Sequence, residues 1–244
     1  MQRRTGNAFY LCYLLAAVIF GAAFAFATNS LDYLPTLAEG ALVTVEITLI
    51  AAVLAVVMAF VSGLTRLYAP GPIAWVAVTY IEIFRGTSAL VQLFWLYFVL
   101  PQLGLELSAF WAAVLGLGLH IGAYGAEIVR GTVAAVPKAQ WEASTALNLA
   151  PFGALRRIIL PQALAAMIPP WGNLMIELLK LTSLVSLITL ADLTFRAQQI
   201  NLATFRTVEV FTLMLVAYLI LSLLLTLAIR WLDRHLALRF GRLA

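Results

Sequence analysis

Apolar residues recur along this 244-residue chain in blocks of about twenty, separated by short polar interruptions from one end to the other. A helix needs about 20 mostly apolar residues to cross a bilayer, because each residue rises about 1.5 Å and backbone groups in lipid must be satisfied within the segment. Six stretches meet that requirement, at 8–27, 41–65, 87–103, 108–129, 170–191 and 208–231. The pattern predicts an all-α integral membrane protein with about six transmembrane helices. The first stretch admits a second reading. Arg3 and Arg4 precede an apolar run ending in Ala25, Phe26 and Ala27, which suits a secretory signal with a small-residue cleavage site. The run exceeds the roughly 7–15 residues of a signal core, which favours a retained span. From Pro72 to Leu100 the apolar content is nearly continuous but interrupted by Glu82, Arg85 and Gly86. This predicts a helix along the cytoplasmic interface, with Trp75 and Tyr80 at headgroup level, that turns at Arg85 and Gly86 into the span. A single kinked span is the alternative.

Composition agrees with the pattern: 64% of residues are hydrophobic, only 11% are charged, and the mean hydropathy is +1.00. Soluble domains carry about 25% charged residues, and no polar block here is large enough for a separate globule. The single cysteine, Cys12, lies inside the first apolar run, which excludes a disulfide framework and a Cys-based metal site. The net charge of +4 marks a membrane face rather than nucleic-acid binding. With the N-terminus in the cytoplasm, Arg3, Arg4, Arg66, Arg85, Arg130, Lys138, Arg156, Arg157, Arg230, Arg234, Arg239 and Arg242 all fall inside, twelve of fifteen basic residues. The outer loops 28–40 and 104–107 carry Asp32, Glu39 and Glu106 and no Lys or Arg, while the loop after Leu190 carries Arg196 and Arg206. The positive-inside rule then places both termini in the cytoplasm.

The chemistry that is missing is informative. There is no His-Glu-x-x-His, no Gly-x-Ser-x-Gly and no Walker A sequence, so the chain has no phosphate-binding loop of its own. No internal repeat is apparent, whereas many secondary transporters show one. His120 is the only histidine within a span and reads as hydrogen-bonded to a neighbouring helix rather than as a metal ligand. In the fifth span Asn173, Glu177 and Lys180 fall at i, i+4 and i+7 on one face, with Thr182 and Ser183 extending the patch. A charge at mid-span costs roughly 2.5–3.5 kcal/mol on insertion scales, so such groups face a cavity or a partner. They read either as a pathway lining that binds the carboxylate or ammonium of a zwitterion, or as a Glu177–Lys180 ion pair that closes a subunit interface. Gln92 and Glu46 are weaker pathway candidates, since one polar residue in a span is often interhelical glue. Glu127 and Arg130 are expected to pair with each other or with the region of Arg85, and Gly116 and Gly122 to allow close helix packing.

One stretch, "EASTALNLAPFGALRRIILPQA" at 142–163, is too polar to span and falls on the cytoplasmic side. Glu142 to Asn148 can form two turns with Ala143, Ala146 and Leu147 on one face. Asn148 tolerates the left-handed conformation at a helix end, and Pro151 suits the first turn of a new helix. In that second helix Phe152, Leu155 and Ile159 face one way, Arg156 and Arg157 turn toward water or lipid phosphate, and Pro161 is expected to end it. Spacing alone leaves two readings open: a two-helix knob that enters a partner's groove, or an interfacial helix held by its arginines.

This segment resembles the signature of ATP-binding-cassette importer permeases, Glu-Ala-Ala, three residues, Gly, nine residues, Ile-x-Leu-Pro. Glu142, Ala143 and Ser144 stand for the triplet, Asn148 for the Gly, and Ile158, Leu160 and Pro161 for the closing block. "EIFRGTSALVQLFWLYFVLP", "AYGAEIVRGTVAAVPKAQWEA" and "IELLKLTSLVSLITLADL" are similar to segments of the polar amino-acid branch, the histidine, glutamine and arginine importers. Ser88 stands where Pro is common, Ala139 where Gly is usual, and Leu181 where Asp or Asn is usual. The blocks also look like the ectoine and hydroxyectoine permeases of that branch. The resemblance covers about residues 37–240. It implies the type I ABC importer permease fold, with a five-helix core at 37–244 that includes a cytoplasmic coupling segment at 138–163, and an extra N-terminal helix and outer loop at 1–36. It also implies a passive transport subunit of the bacterial inner membrane rather than an enzyme, with no cofactor of its own. ATP and Mg would sit on two partner ATPases, beside a second permease, identical or related, and an extracytoplasmic binding protein. The rivals are an ion-coupled secondary transporter using Glu177 and Lys180, and a membrane scaffold that moves no solute.

Overall fold

The structure, a computed structural model, describes the backbone of residues 2–239 and the side chains of residues 9–235. Of the basic residues counted above, Arg3, Arg4, Arg239 and Arg242 lie outside the described side chains. The described chain is helical throughout: α1 Gln2–Ala27, α2 Leu34–Tyr68, α3 Gly71–Gly86, α4 Ala89–Phe94, α5 Ala109–Ala134, α6 Lys138–Ala146, α7 Pro151–Ala154, α8 Leu160–Leu181, α9 Leu193–Thr204 and α10 Thr207–Arg239. α4 continues through a π turn and a 3-10 turn to Leu103, and a 3-10 segment, Thr182–Ile188, follows α8. Among the described residues five segments are long and apolar enough to cross a membrane: Phe9–Ala27, Leu31–Tyr68, Ala109–Ala134, Pro151–Ile188 and Thr207–His235. α3 and the α4 segment, bent by 106°, make a sixth if taken as one broken span.

α2 and α5 form the most extensive helix pair, and small residues make it. Ala51, Ala55 and Ala59, spaced by four on α2, are fully buried, as is Ala126 on α5. Lipid tails are as apolar as leucine, so helices in a bilayer associate through close packing, which small side chains permit. A Cβ on Gly122 would lie 3.0 Å from Met58 Cβ, and one on Gly116 would lie 2.8 Å from Leu93 Cδ2, so the close packing expected at both is present. α8 packs across α5, placing Leu174 and Leu178 in one cluster with Ile47, Leu117, Ile121 and Ile188. α10 lies on α8, and α1 lies on α10. At one end of the bundle Ala25, Leu37, Leu193, Ala197, Val210 and Leu213 form a second cluster; at the other, Ala59, Val129, Val133, Ile159, Ala163 and Met167 form a third.

Three expectations are corrected. Pro161 does not end a helix: the chain stays helical from Pro151 to Leu181, through a π turn at Leu155–Ile159. A wider turn just ahead of Pro161, together with its place in the first turn of α8, absorbs the ring and the missing N–H. The fifth span therefore begins well before residue 170, and the second helix of the 142–163 segment is its first part rather than a separate piece. Tyr80 is not at an interface. Its hydroxyl donates to the Leu119 carbonyl at 2.7 Å, and Leu119 lies roughly 15 Å from the start of α5 and 22 Å from its end. The bend expected at Arg85 and Gly86 is present, but the part of α3 at Tyr80 leans into the bundle.

Candidate functional site

The segment at 142–163 is organised by two backbone devices. α6 ends at Ala146, and Asn148 adopts φ +57°, the left-handed conformation expected of it. The Leu149 N–H then bonds back to the Ser144 carbonyl at 3.1 Å, closing the turn. Pro151 opens the next helix at a position where an N–H would have no intrahelical partner. Ser144 is buried, its hydroxyl donating to the Gln140 carbonyl at 2.6 Å. Glu142, Ala143, Ala146 and Asn148 are exposed. The anticipated face of Phe152, Leu155 and Ile159 is divided. Ile159 is fully buried and Leu155 half-buried in the third cluster, while Phe152 is 73% exposed and Leu147 71% exposed. Ile158 and Leu160 pack partly against that cluster, and Pro161 is half-buried beside them. The result is a turn with a buried root and an exposed apolar tip, whose Leu147 and Phe152 suit a shallow apolar groove.

On α8, Asn173, Glu177 and Lys180 all point away from this chain's core. Glu177 and Lys180 make no ion pair with each other or with any other described residue. Thr182 does not continue that face. The α-helix stops at Leu181, and the tighter 3-10 turn that follows carries Thr182 inward, where it is fully buried and donates to the Leu179 carbonyl at 2.7 Å. Ser183 stays half-exposed and donates to the Lys180 carbonyl at 2.8 Å.

Gln92 is held at the elbow between α3 and α4. Its Nε2 donates to the Phe84 carbonyl at 2.9 Å and the Thr87 hydroxyl at 2.6 Å, so it clasps the end of α3 to the start of the next helix. Its Oε1 is buried without a hydrogen bond, as is Nδ1 of the buried His120. The His120 ring interacts with the Phe84 backbone and lies 5.2 Å from the Tyr124 ring.

Glu127 joins three helices. Arg130 reaches it at 2.9 Å, Arg66 of α2 pairs with it, and Arg85 of α3 lies at 4.0 Å. The pair with Arg130 was expected from sequence; Arg66 was not singled out, although its place at the end of the second span was a usable signal. Asp192 was also missed. It is fully buried between the 3-10 segment and α9, where its carboxylate accepts the Phe195 N–H at 2.8 Å and the Tyr218 hydroxyl at 3.3 Å. Burial pushes the carboxyl up to about 6, against hydrogen bonds that act in the opposite direction. An Asp directly ahead of a helical stretch is a cap signature and could have been read. Among the described residues no group of three or more His, Cys, Asp or Glu could hold a metal ion.

Residues 51–239 match the family described as the binding-protein-dependent transport system inner membrane component. The chain is 47% identical over 208 residues to the probable amino-acid ABC transporter permease protein y4tF of Sinorhizobium fredii, covering 83% of this chain and 87% of that one. It is 38% identical over 205 residues to the glutamine transport system permease GlnP of Escherichia coli, covering 83% and 94%. Among solved structures it resembles an amino acid ABC transporter crystallised with histidines, at 34% identity and a TM-score of 0.80, covering 85% of this chain and 97% of the other.

Proposed function

Because this chain belongs to the binding-protein-dependent inner-membrane components, as a permease subunit of the amino-acid ABC importers, we propose that it moves polar amino acids or related zwitterionic solutes. In this reading two permeases, identical or related, form the pathway. Two cytoplasmic ATPases carry ATP and Mg, and an extracytoplasmic binding protein delivers the solute. Both termini face the cytoplasm, and α1 is an accessory to a five-helix core. Glu142, Ala143, Ser144, Asn148, Ile158, Leu160 and Pro161 form the segment that seats in the ATPase. The exposed Leu147 and Phe152 at its tip support that role, since apolar side chains on a polar loop gain by burial in a partner.

The observation that carries the substrate class is the α8 face. Asn173, Glu177 and Lys180 present an amide, an anion and a cation on one side of a span, with no ion pair among the described residues to neutralise them. Groups so placed suit a solute that carries both charges. Ser183 borders this face, Thr182 lies buried behind it, and Gln92, a further pathway residue in this reading, holds the elbow between α3 and α4. Leu181 supplies no charge at the position where the family resemblance read from sequence puts Asp or Asn, which favours a compact neutral zwitterion, ectoine and hydroxyectoine included, over a cationic amino acid.

The test is uptake by an assembly reconstituted from this chain with an ABC ATPase, a second permease and a solute-binding protein from the same organism, comparing glutamine, ectoine and arginine. Accumulation that needs internal ATP and the binding protein is expected, with weak competition by arginine. Strong arginine competition overturns the neutral-zwitterion assignment. Uptake that collapses with an uncoupler while ATP is held constant favours the ion-coupled mechanism instead.

A further inference from the structure

Arg66, Arg85 and Arg130 come from α2, α3 and α5, yet they converge on a single carboxylate, Glu127. One Glu balances one of three guanidinium groups, which leaves a local excess of two positive charges. Glu82, one turn before Arg85, makes no ion pair with any of them. The arginines are not equally committed. Arg66 and Arg130 hold Glu127 directly, whereas Arg85 is 4.0 Å away and rests over the Tyr124 ring, 5.4 Å from its centroid. The Arg85 and Arg130 side chains are 37% and 38% exposed, so both retain donors on an open side.

Depth gives the cluster its meaning. α5 has 26 residues, roughly 39 Å of helix, against a hydrocarbon core of about 30 Å. Glu127 lies roughly 27 Å along α5 from Ala109, and Arg66 lies in the last turn of α2; with Ala109 at one edge of the core, the cluster falls within a few Å of the other edge, where guanidinium groups reach the headgroups. The neighbouring surface is that of a lipid-facing helix: Ile73, Trp75, Val76 and Ile83 of α3 are exposed. Guanidinium groups pair with phosphate oxygens through two parallel N–H donors. A basic pair near headgroup depth, beside an apolar flank, offers the donors and the surroundings that a phospholipid phosphate and its acyl chains require.

We propose that Arg85 and Arg130, held in place by Glu127 and Arg66, bind the phosphate of an anionic phospholipid at the inner leaflet. Bound lipid ties α3 to α5 at the elbow and so fixes the part of the chain that joins the cytoplasmic and mid-membrane halves.

The test is native mass spectrometry of the purified full-length chain released from mixed micelles of phosphatidylglycerol and phosphatidylcholine, with thermal unfolding in each lipid. Both lipids carry a phosphate, but the choline ammonium of phosphatidylcholine meets the cluster's excess positive charge, so phosphatidylglycerol is expected to be retained about tenfold over phosphatidylcholine, roughly 1.4 kcal/mol. Arg85→Gln should bring retention close to parity while unfolding in phosphatidylcholine is unchanged. Arg85→Lys, which keeps the charge but loses the fork, should retain part of the preference. Arg206→Gln, at the opposite end of the bundle, should leave it intact. Equal retention of the two lipids by the unmodified chain, or full preference in Arg85→Gln, overturns the proposal. Inorganic phosphate that raises the unfolding temperature in detergent as much as phosphatidylglycerol does, and displaces it, overturns the lipid as the source and leaves a free-anion site. If Arg85→Gln does not fold, the Arg130→Gln chain decides by the same ratio.

Discussion

The Tyr218 hydroxyl of α10 donates to the buried Asp192 carboxylate at 3.3 Å, joining the last span to the turn that starts α9. Thr194 shares this contact, its hydroxyl 2.9 Å from that of Tyr218. Asp192 thus caps α9 and anchors α10 at once. Its carboxyl is pushed up to about 6 from an ordinary 3.8 because burial disfavours the charge more than the hydrogen bonds favour it. A folded-state value above the unfolded one means that protonation favours the folded chain. The stabilisation is complete below about 3.8 and is lost as pH rises through about 6. The difference corresponds to about 3 kcal/mol at neutral pH. The unfolding temperature should rise from pH 7.5 to pH 5, and Asp192→Asn should remove most of that rise relative to the unmodified chain. Parallel pH profiles of the two chains would rule out Asp192 as the source.

The same turn depends on a close approach. A Cβ on Gly40 would lie 2.8 Å from the Asp192 carbonyl oxygen and 2.8 Å from Leu193 Cα, both backbone atoms that cannot rotate aside. The Leu193 N–H donates to the Thr44 hydroxyl one turn further along α2, at 3.2 Å, so the turn is pinned against the helix. Gly40→Ala should therefore destabilise by about 1–3 kcal/mol, the usual cost of overpacking, despite alanine's better helix propensity. Thermal unfolding measures it; an unchanged or raised transition would show that the 189–193 turn moves freely.

Asn148 makes a narrower prediction. At φ +57° a β-branched residue crowds the adjacent carbonyl, by roughly 1–2 kcal/mol, whereas glycine has no such conflict. Asn148→Gly should leave transport nearly unchanged. If the 142–163 segment seats in a partner ATPase as proposed, Asn148→Val should tilt the exposed tip and let that ATPase hydrolyse ATP with several-fold less solute moved per ATP. Solute-to-ATP ratios in proteoliposomes read this directly, and an unaltered ratio in the Val variant would dissociate the turn from coupling.

What sequence revealed and what it hid follow one physical division. Spans, the left-handed Asn148 and the Glu127–Arg130 pair were legible because each is a local consequence of spacing or backbone chemistry. Pro161 misled because a proline usually breaks a helix, and whether a π turn ahead of it takes up the strain depends on packing against Val129, Val133 and Ala163. Tyr80 misled in the same way, since an aromatic near a predicted interface gives no sign of the Leu119 carbonyl that receives its hydroxyl. Thr182 was placed by helical periodicity, and the change to a 3-10 turn at that residue altered its direction. Arg66 and Glu127 are brought together by the α2–α5 packing, a relationship between segments that neither contains alone.

The α8 face separates two roles that sequence left together. Lys180 and Glu177 are exposed and have no ion pair among the described residues, so replacing either leaves no charged partner stranded there. Lys180→Met keeps the length of the aliphatic stem and removes only the ammonium. If that ammonium receives the solute's carboxylate in the pathway, uptake should fall by tenfold or more, because a charge-assisted hydrogen bond contributes about 1.5–3 kcal/mol. ATPase docking and the unfolding temperature should not change. Glu177→Gln should show the same selectivity toward the solute's ammonium, and the double variant should lose less than the product of the two, since both act on one molecule. Should the two residues instead seal the contact between permeases, either substitution would weaken dimer recovery in detergent and lower the unfolding temperature along with uptake. Measuring uptake, dimer recovery and unfolding on the same three chains therefore assigns the face to solute or to subunit.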